Sequence, residues 1–416
     1  MAGPFEQLDF DAFHRKELPR RLAAGNGALA ARATHRLDSL AFRRSEGGAY
    51  TYVPGPDGVA VVEGDDSAET VMELDHEAWE GLVQELESAP GLLYGNRVRC
   101  RRGKAMNMVV WEPALRAMFN GRPIFDPHEE RLADRHGRPL DVEQTFSLES
   151  DPRDSESSLT GSASNRQDMA HFLRTAGYLL VRKVFGPEEI AGFLEEAQEL
   201  RGEAVRGDKL SWWGKNARGE EVLCRVTRAG AKPRLATIPE DPRIVALKDL
   251  SDENLTSRAR GSDETVSVIY KNPDMTEGLS DIPWHRDCGM GGHAVMCPVL
   301  IVSTFLTPAT PETGELKMLP GSWKASYPYV DPNHPRAPRG ARFAARPGDV
   351  SLHYGDVMHA APPPTRSDLD GYRISAVTGF AKPGMRHHRG GKHYNEVLHG
   401  REDGQIEHLE KVANRS

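Results

Sequence analysis

Cysteine is scarce in this sequence. Four occur among 416 residues, at positions 100, 224, 288 and 297, and no two form a CxxC pair. That spacing argues against a disulfide scaffold and a structural zinc knuckle, and it fits a reducing cytoplasm. Long apolar runs are missing too. None approaches the roughly 18 uninterrupted apolar residues of a membrane-crossing helix, so no stable membrane insertion is expected. The opening MAGPFEQLDFDAFHRKELPRRL lacks the apolar core of a secretory signal. Nor is there a basic surplus. Lysine and arginine number 53 against 61 aspartates and glutamates, a net charge of −8, which gives no electrostatic reason to expect nucleic acid as a partner. The chain carries no internal repeat and no signal for oligomeric state.

Glycine and proline are abundant, 40 and 29 residues. They mark many turns and favour a loop-rich β domain over a helical bundle. Composition divides the chain into residues 1–126, a polar linker at 127–166, a second domain at 167–400 and a tail at 401–416. The linker contains SLESDPRDSESSLTGSAS, which has too little to bury to offset its ordering entropy.

In the first segment, GVAVVEGDDSAETVMEL (58–74) predicts two strands joined by a polar turn, with another strand at 97–100. Residues 75–88 predict a helix, with Trp79, Leu82, Val83 and Leu86 at i, i+3, i+4 and i+7. A second amphipathic helix is expected over 105–119, carrying Met106, Met108, Val109, Leu115 and Met118. These methionines read first as core packing and second as a pliable apolar cavity. In the second segment a helix (167–175), an apolar strand (177–181) and a helix from Pro187 precede short strands at 266–270, 299–306, 316–319, 349–353 and 374–380. This order predicts an α+β chain: a β-sandwich or barrel with helical buttresses behind a smaller N-terminal α/β domain.

The chemistry concentrates in Pro283-Trp284-His285-Arg286-Asp287. Residues i and i+2 of a strand share a face, so His285 and Asp287 can aim at one point. A histidine and a carboxylate on one strand, with a second histidine from elsewhere, make the facial triad of non-haem Fe(II) oxygenases. Downstream come Gly314-Glu315-Leu316-Lys317-Met318-Leu319-Pro320-Gly321-Ser322-Trp323, then GDVSLHYGDVMHAA with His353 and His359, then Tyr372-Arg373-Ile374-Ser375. Arg373 and Ser375 again share a face. A guanidinium fork beside a hydroxyl suits the distal carboxylate of 2-oxoglutarate, whose keto-acid end would chelate the metal.

Together HFLRTAGYLLVRKVFGPEEI, IYKNPD…IPWHRD, GELKMLPGSW, GDVSLHYGDVMHAA and YRIS resemble the phytanoyl-CoA dioxygenase family of Fe(II)/2-oxoglutarate oxygenases, from about Gln167 to Lys382. The resemblance implies a double-stranded β-helix, a jelly-roll, cupin-like barrel. It implies Fe(II) held by His285, Asp287 and His359, 2-oxoglutarate held by Arg373 and Ser375, and O2 as oxidant. His353 is the alternative third ligand. It lies four residues after Asp349, where family sequences usually carry an apolar or aromatic residue, which favours His359. Family members often have a small polar residue two positions after the distal histidine. Ala361 stands there, so Ser303 or Thr304 on the strand after HRD is the candidate replacement contact. Halogenating relatives lack the carboxylate at the position of Asp287. Its presence implies hydroxylation, or another oxidation that begins at an unactivated C–H bond of a small molecule and releases succinate and CO2.

The N-terminal segment resembles a sterol-carrier-protein-2-like domain in VVEGDDSAETVMEL and MNMVVWEPALRAMFNGR. That resemblance implies a lipophilic or secondary-metabolite substrate; its alternative is a non-catalytic lipid-binding or sensor protein on a degenerate barrel. Other residues carry two readings each. His293 lines the site or sits in a solvated loop. His387, His388, His393 and His399 form a second metal site or a solvated tail. Trp212 and Trp213 close over a substrate or simply pack.

Overall fold

The computed structural model describes residues 7–148, 163–251, 253–276, 282–287, 299–327, 337–366, 373–383 and 408–416. His293, the histidines at 387, 388, 393 and 399, Cys288 and Cys297 lie outside the described residues.

The N-terminal part opens with helical turns over 10–34 and continues as β1 (Leu40–Arg44), β2 (Ala49–Pro54), β3 (Val59–Glu63), β4 (Thr70–Leu74) and β5 (Val98–Arg102). These strands form one sheet in the order β3-β2-β1-β4-β5, with β1 and β4 parallel. The two strands expected within 58–74 are present as β3 and β4, but they are not partners. Residues 64–69 cross from one edge of the β1–β2 pair to the other, because β1 takes both central pairings. The helix expected over 75–88 spans only His76–Val83. The Asp75 carboxylate caps it by accepting from Ala78 N–H, and beyond it the N–H groups of Leu86 and Glu87 fold back onto the Gly81 carbonyl. The helix Met106–Asn120 lays Met108, Val109, Leu115 and Met118 into a core that includes Trp79, Trp111, Tyr52 and Phe119. The far end of the chain contributes as well: Leu409 and Ala413 of the helix Leu409–Ala413 belong to this same core.

His14 is buried there. Its Nδ1–H donates to the Phe10 carbonyl (2.7 Å), its Nε2 accepts from the Tyr52 hydroxyl (2.7 Å), and its ring stacks on Tyr50 at 4.2 Å. Burial pushes the imidazole down from 6.5 to about 4. Between those values the unfolded chain binds a proton that the folded protein does not, so stability falls as pH drops through the window. The loss reaches about 3 kcal/mol at its lower end. Urea titrations of wild type and His14→Gln should differ most at pH 7 and converge towards pH 4. A gap that stays constant with pH would contradict this account.

The second part holds thirteen strands among the described residues. They are β6 (Phe146–Ser147), β7 (Tyr178–Arg182), β8 (Ser211–Lys215), β9 (Glu221–Val226), β10 (Thr256–Ser257), β11 (Ser267–Lys271), β12 (Ile282–His285), β13 (Leu300–Phe305), β14 (Leu316–Met318), β15 (Ala341–Phe343), β16 (Val350–Tyr354), β17 (His359–Ala361) and β18 (Arg373–Ala381). A large sheet runs β6-β7-β16-β13-β18-β11-β9-β8, with β10 also paired to β18, and a small sheet runs β12-β17-β14-β15. The two sheets make a jelly roll.

The large sheet has two distinct faces because side chains alternate along each strand. One face packs under helices: Val268, Val302, Val350, Leu352, Ile374 and Ala376 join the main core with Ile190, Phe193 and Ala197 of the helix Pro187–Glu203. The Tyr270 hydroxyl ties this face to the helix by donating to the Ala197 carbonyl (2.6 Å). The other face looks at the small sheet. In register across it lie His353 opposite Ile301, Ser351 opposite Ser303, and Lys271 opposite Arg373.

The N-terminal part meets the small sheet directly. Phe125 N–H donates to the Ser326 carbonyl and Ser326 N–H to that of Pro123. The Phe125 ring shares an apolar cluster with Trp284, Leu319 and Met358.

Candidate metal centre

β12 and β17 run antiparallel with His285 directly across from His359, and Asp287 follows two residues later. The strand expected to carry both residues ends at His285, so Asp287 reaches the cluster from the residues just beyond β12 and not from the strand itself. One ligand atom from each of His285, Asp287 and His359 lies within 4.8 Å of the others. Asp287 Oδ1 is 3.7 Å from His285 Nε2 and 3.6 Å from His359 Nε2. His359 Nδ1–H donates to the Val357 carbonyl (3.0 Å), which leaves the lone pair on the Nε2 that faces Asp287. His353 is not the third member. It sits on the outer oxygen of the carboxylate, with Nε2–H donating to Asp287 Oδ2 at 3.2 Å.

Protonation favours a cation at this point. Burial would raise the Asp287 carboxyl, but the imidazoles of His359, His285 and His353 reverse that and hold it well below the usual carboxylate range. Burial pushes the His359 imidazole down to about 3. An anionic carboxylate beside a neutral imidazole is the form a divalent metal requires of its ligands. Two imidazoles and one carboxylate suit iron(II) by donor type and number.

Asp349 of the Gly-Asp pair serves a different purpose. Its Oδ1 accepts from Lys183 N–H, while Oδ2 accepts from Arg346 N–H and the Arg182 guanidinium. It fixes the turn that launches β16 and stays away from the ligand cluster.

Arg373 begins β18 on the inner face and is 4% exposed. Its Nη1–H donates to the Gly314 carbonyl (2.6 Å), and its buried Nε has no hydrogen-bond partner among the described residues. Burial alone lowers this guanidinium to about 10, so it remains charged at neutral pH. Among the described residues no carboxylate pairs with it, and a buried cation with an unused donor suits the carboxylate of a bound molecule. Glycine is needed at 314 because of a different neighbour. Its φ is +81°, and a Cβ there would lie 2.5 Å from Lys271 Cε.

Ser375 lies two residues along the same strand, on the same face, and is buried. Thr304, chosen from the sequence as a co-substrate contact, requires correction. It pairs with Ala376 and Val350 on the helix-covered face, whereas Ser303 pairs with Val377 and Ser351 on the inner face. Strict alternation along β13 makes the two alternatives exclusive. Trp212 is buried beneath the Arg225 guanidinium, 4.7 Å from its ring, and Trp213 packs partly buried against the main core. Both tryptophans pack.

Sequence reasoning missed Lys271, a residue 1% exposed whose ammonium donates to the carbonyls of Ala361 (2.9 Å) and Pro362 (2.5 Å), at the end of β17. A lysine in the run SVIYK was its only signal.

Residues 173–368 match the family profile described as Phytanoyl-CoA dioxygenase (PhyH). No curated protein sequence matches the chain. Among solved structures, AviO1 from Streptomyces viridochromogenes Tue57 is 22% identical, covering 53% of this chain and 96% of its own, with a TM-score of 0.43. The alpha ketoglutarate dependent epimerase SnoN from nogalamycin biosynthesis is 20% identical over 53% and 82%, at 0.41. HygX from Streptomyces hygroscopicus, solved with nickel and 2-oxoglutarate, is 18% identical over 53% and 88%, at 0.39.

Proposed function

With residues 173–368 a domain of the phytanoyl-CoA dioxygenase family, we propose that this protein is an Fe(II)- and 2-oxoglutarate-dependent oxygenase acting on an unactivated C–H bond of a small molecule. One observation carries the reading: the His285, Asp287 and His359 cluster is contacted through Asp287 by His353, which stands on the same face of the large sheet as the buried Arg373, a cation with no carboxylate partner among the described residues. Iron bound by the triad, with 2-oxoglutarate, supplies the oxidative decarboxylation that makes O2 a C–H oxidant and releases succinate and CO2. The chain's own residues do the rest. His285, Asp287 and His359 present three ligand atoms from one side. Arg373 fixes the orientation of the co-substrate through its distal carboxylate, with the Ser375 hydroxyl beside it and Ser303 on the neighbouring strand. The carboxylate of Asp287 supports hydroxylation as the outcome, and the N-terminal resemblance supports a lipophilic or secondary-metabolite substrate.

The test is direct. Fe(II) and 2-oxoglutarate added to the protein without oxygen should give a metal-to-ligand charge-transfer band, and oxygen should then yield succinate. Absence of both would leave a binding role only. Turnover compared across lipophilic and polar candidates decides the substrate class.

His353 has a supporting part in this scheme. By donating to Oδ2 it keeps Asp287 turned so that Oδ1 alone faces the two histidines. His353→Phe is expected to weaken Fe(II) binding about 10–100-fold, the usual cost of losing an outer partner of a ligand. Titration with Co(II) checks it, and unchanged affinity would show that the carboxylate is held without His353.

A further inference from the structure

Arg286 stands between two of the proposed ligands, just past the end of β12, yet its side chain is engaged by other segments. The guanidinium is buried, with 6% exposure for the residue. Nη1–H donates to the Asp356 carbonyl (3.0 Å), and Nη2–H donates to those of Ser322 (3.3 Å) and Ala325 (2.6 Å). These acceptors belong to two segments. Ser322 and Ala325 lie in the turn after Pro320-Gly321, and Asp356 lies three residues before His359 on the approach to β17. The two segments also hold each other, since Met358 N–H donates to Ser322 Oγ and Leu319 N–H to the Met358 carbonyl.

We propose that Arg286 is a positioning residue that sets the distance between the His285–Asp287 pair and His359. This rests on the metal reading above and extends it. The guanidinium is a rigid planar fork, and here it spans three fixed carbonyls from two segments. β12 therefore cannot shift along β17 without breaking charge-assisted hydrogen bonds in a buried place. The same junction reaches the N-terminal part. Ala325, whose carbonyl Arg286 holds, precedes Ser326, which pairs with Pro123 and Phe125. The segment Pro123–Phe125 of the N-terminal part thus pairs with the residue next to the one whose carbonyl Arg286 holds.

The experiment is a Co(II) titration of metal-free full-length protein, read by the visible d–d spectrum, on wild type, Arg286→Gln, Arg286→Lys and His285→Ala. Arg286→Gln should bind about 10–100-fold more weakly with an altered band. Arg286→Lys, which keeps the charge but lacks the fork, should fall between the glutamine variant and wild type. Wild-type affinity and band in Arg286→Gln would overturn the proposal, and so would a lysine variant as impaired as the glutamine one. His285→Ala tests the premise separately. If it binds Co(II) as wild type does, the metal site is misassigned; if it abolishes binding while Arg286→Gln is unaffected, the site stands and the positioning role falls. Should Arg286→Gln not fold, hydrogen exchange of metal-free Arg286→Lys replaces it. Faster exchange confined to 322–326 and 356–361 supports the proposal, and unchanged exchange there overturns it.

Discussion

Asp287→Asn is expected to be nearly as inactive as Asp287→Ala, with oxygen-dependent succinate formation lowered by about three orders of magnitude, a barrier increase of several kcal/mol. Size is conserved in the first substitution, so the effect must come from charge and from donor placement. In the wild type, Oδ2 accepts from His353 Nε2–H while Oδ1 faces His285 and His359. An asparagine in the same place would give its single oxygen to the His353 donor. Its NH2 group would then face the metal position, where it is a donor and no ligand. The loss of negative charge compounds this, because the two imidazoles are neutral ligands and the carboxylate is the cluster's one anionic group.

A double variant separates the two effects. In Asp287→Asn with His353→Phe nothing holds the amide oxygen outward, so it can turn towards the metal and restore part of the binding. The double variant should therefore bind Co(II) more tightly than Asp287→Asn alone, a coupling of opposite sign to simple additivity. If the double variant is weaker than either single one, His353 does not orient the carboxylate. If Asp287→Asn keeps more than a tenth of wild-type activity, the carboxylate is not a ligand at all.

The ligand cluster was legible from the sequence because it rests on local geometry. A histidine and an aspartate two residues apart stay near each other even though β12 ends at His285, and β17 needed only to arrive beside β12. The helix beginning at Pro187 and the strands around 267–271, 300–305 and 373–381 were legible for the same reason, from runs of apolar residues between turn signals. Face assignment within β13 was not. Its run Leu300-Ile301-Val302-Ser303-Thr304-Phe305 is enclosed on both sides, so no polar and apolar alternation marks which hydroxyl faces inward. Only its register with β18 shows that Ser303 does and Thr304 does not. β1 and β2 escaped for a related reason: LAFRR and AYTYVP mix aromatics with charged or polar residues and lack a clear period of two.

The supports were the least legible part. His353 meets Asp287 across 66 residues of chain, Lys271 meets Ala361 across 90, and Arg286 meets Asp356 across 70. No spacing rule reaches that far. A charged residue in an apolar strand signals only that some partner exists, not which one.

Arg373→Ala should separate stability from binding. Among the described residues this guanidinium is a buried charge with one carbonyl for a partner and an unused Nε–H. A charge taken from water without an opposite charge destabilises the fold, as its lowered pKa of about 10 reflects. Alanine removes that cost, so the melting temperature of the ligand-free protein should hold or rise. Affinity for 2-oxoglutarate should move the other way. Losing one member of a buried, hydrogen-bonded charge pair costs about 2–5 kcal/mol, or roughly 30- to 5,000-fold in Kd. Arg373→Lys should fall between, because an ammonium keeps the charge and lacks the fork. The two readouts are KM for 2-oxoglutarate and the melting temperature of the ligand-free protein. A purely structural arginine, held for the sake of Gly314, would give the reverse pattern: a lower melting temperature and an unchanged KM. That result would remove the co-substrate clamp and leave the triad without the partner on which its assignment as an oxygenase most depends.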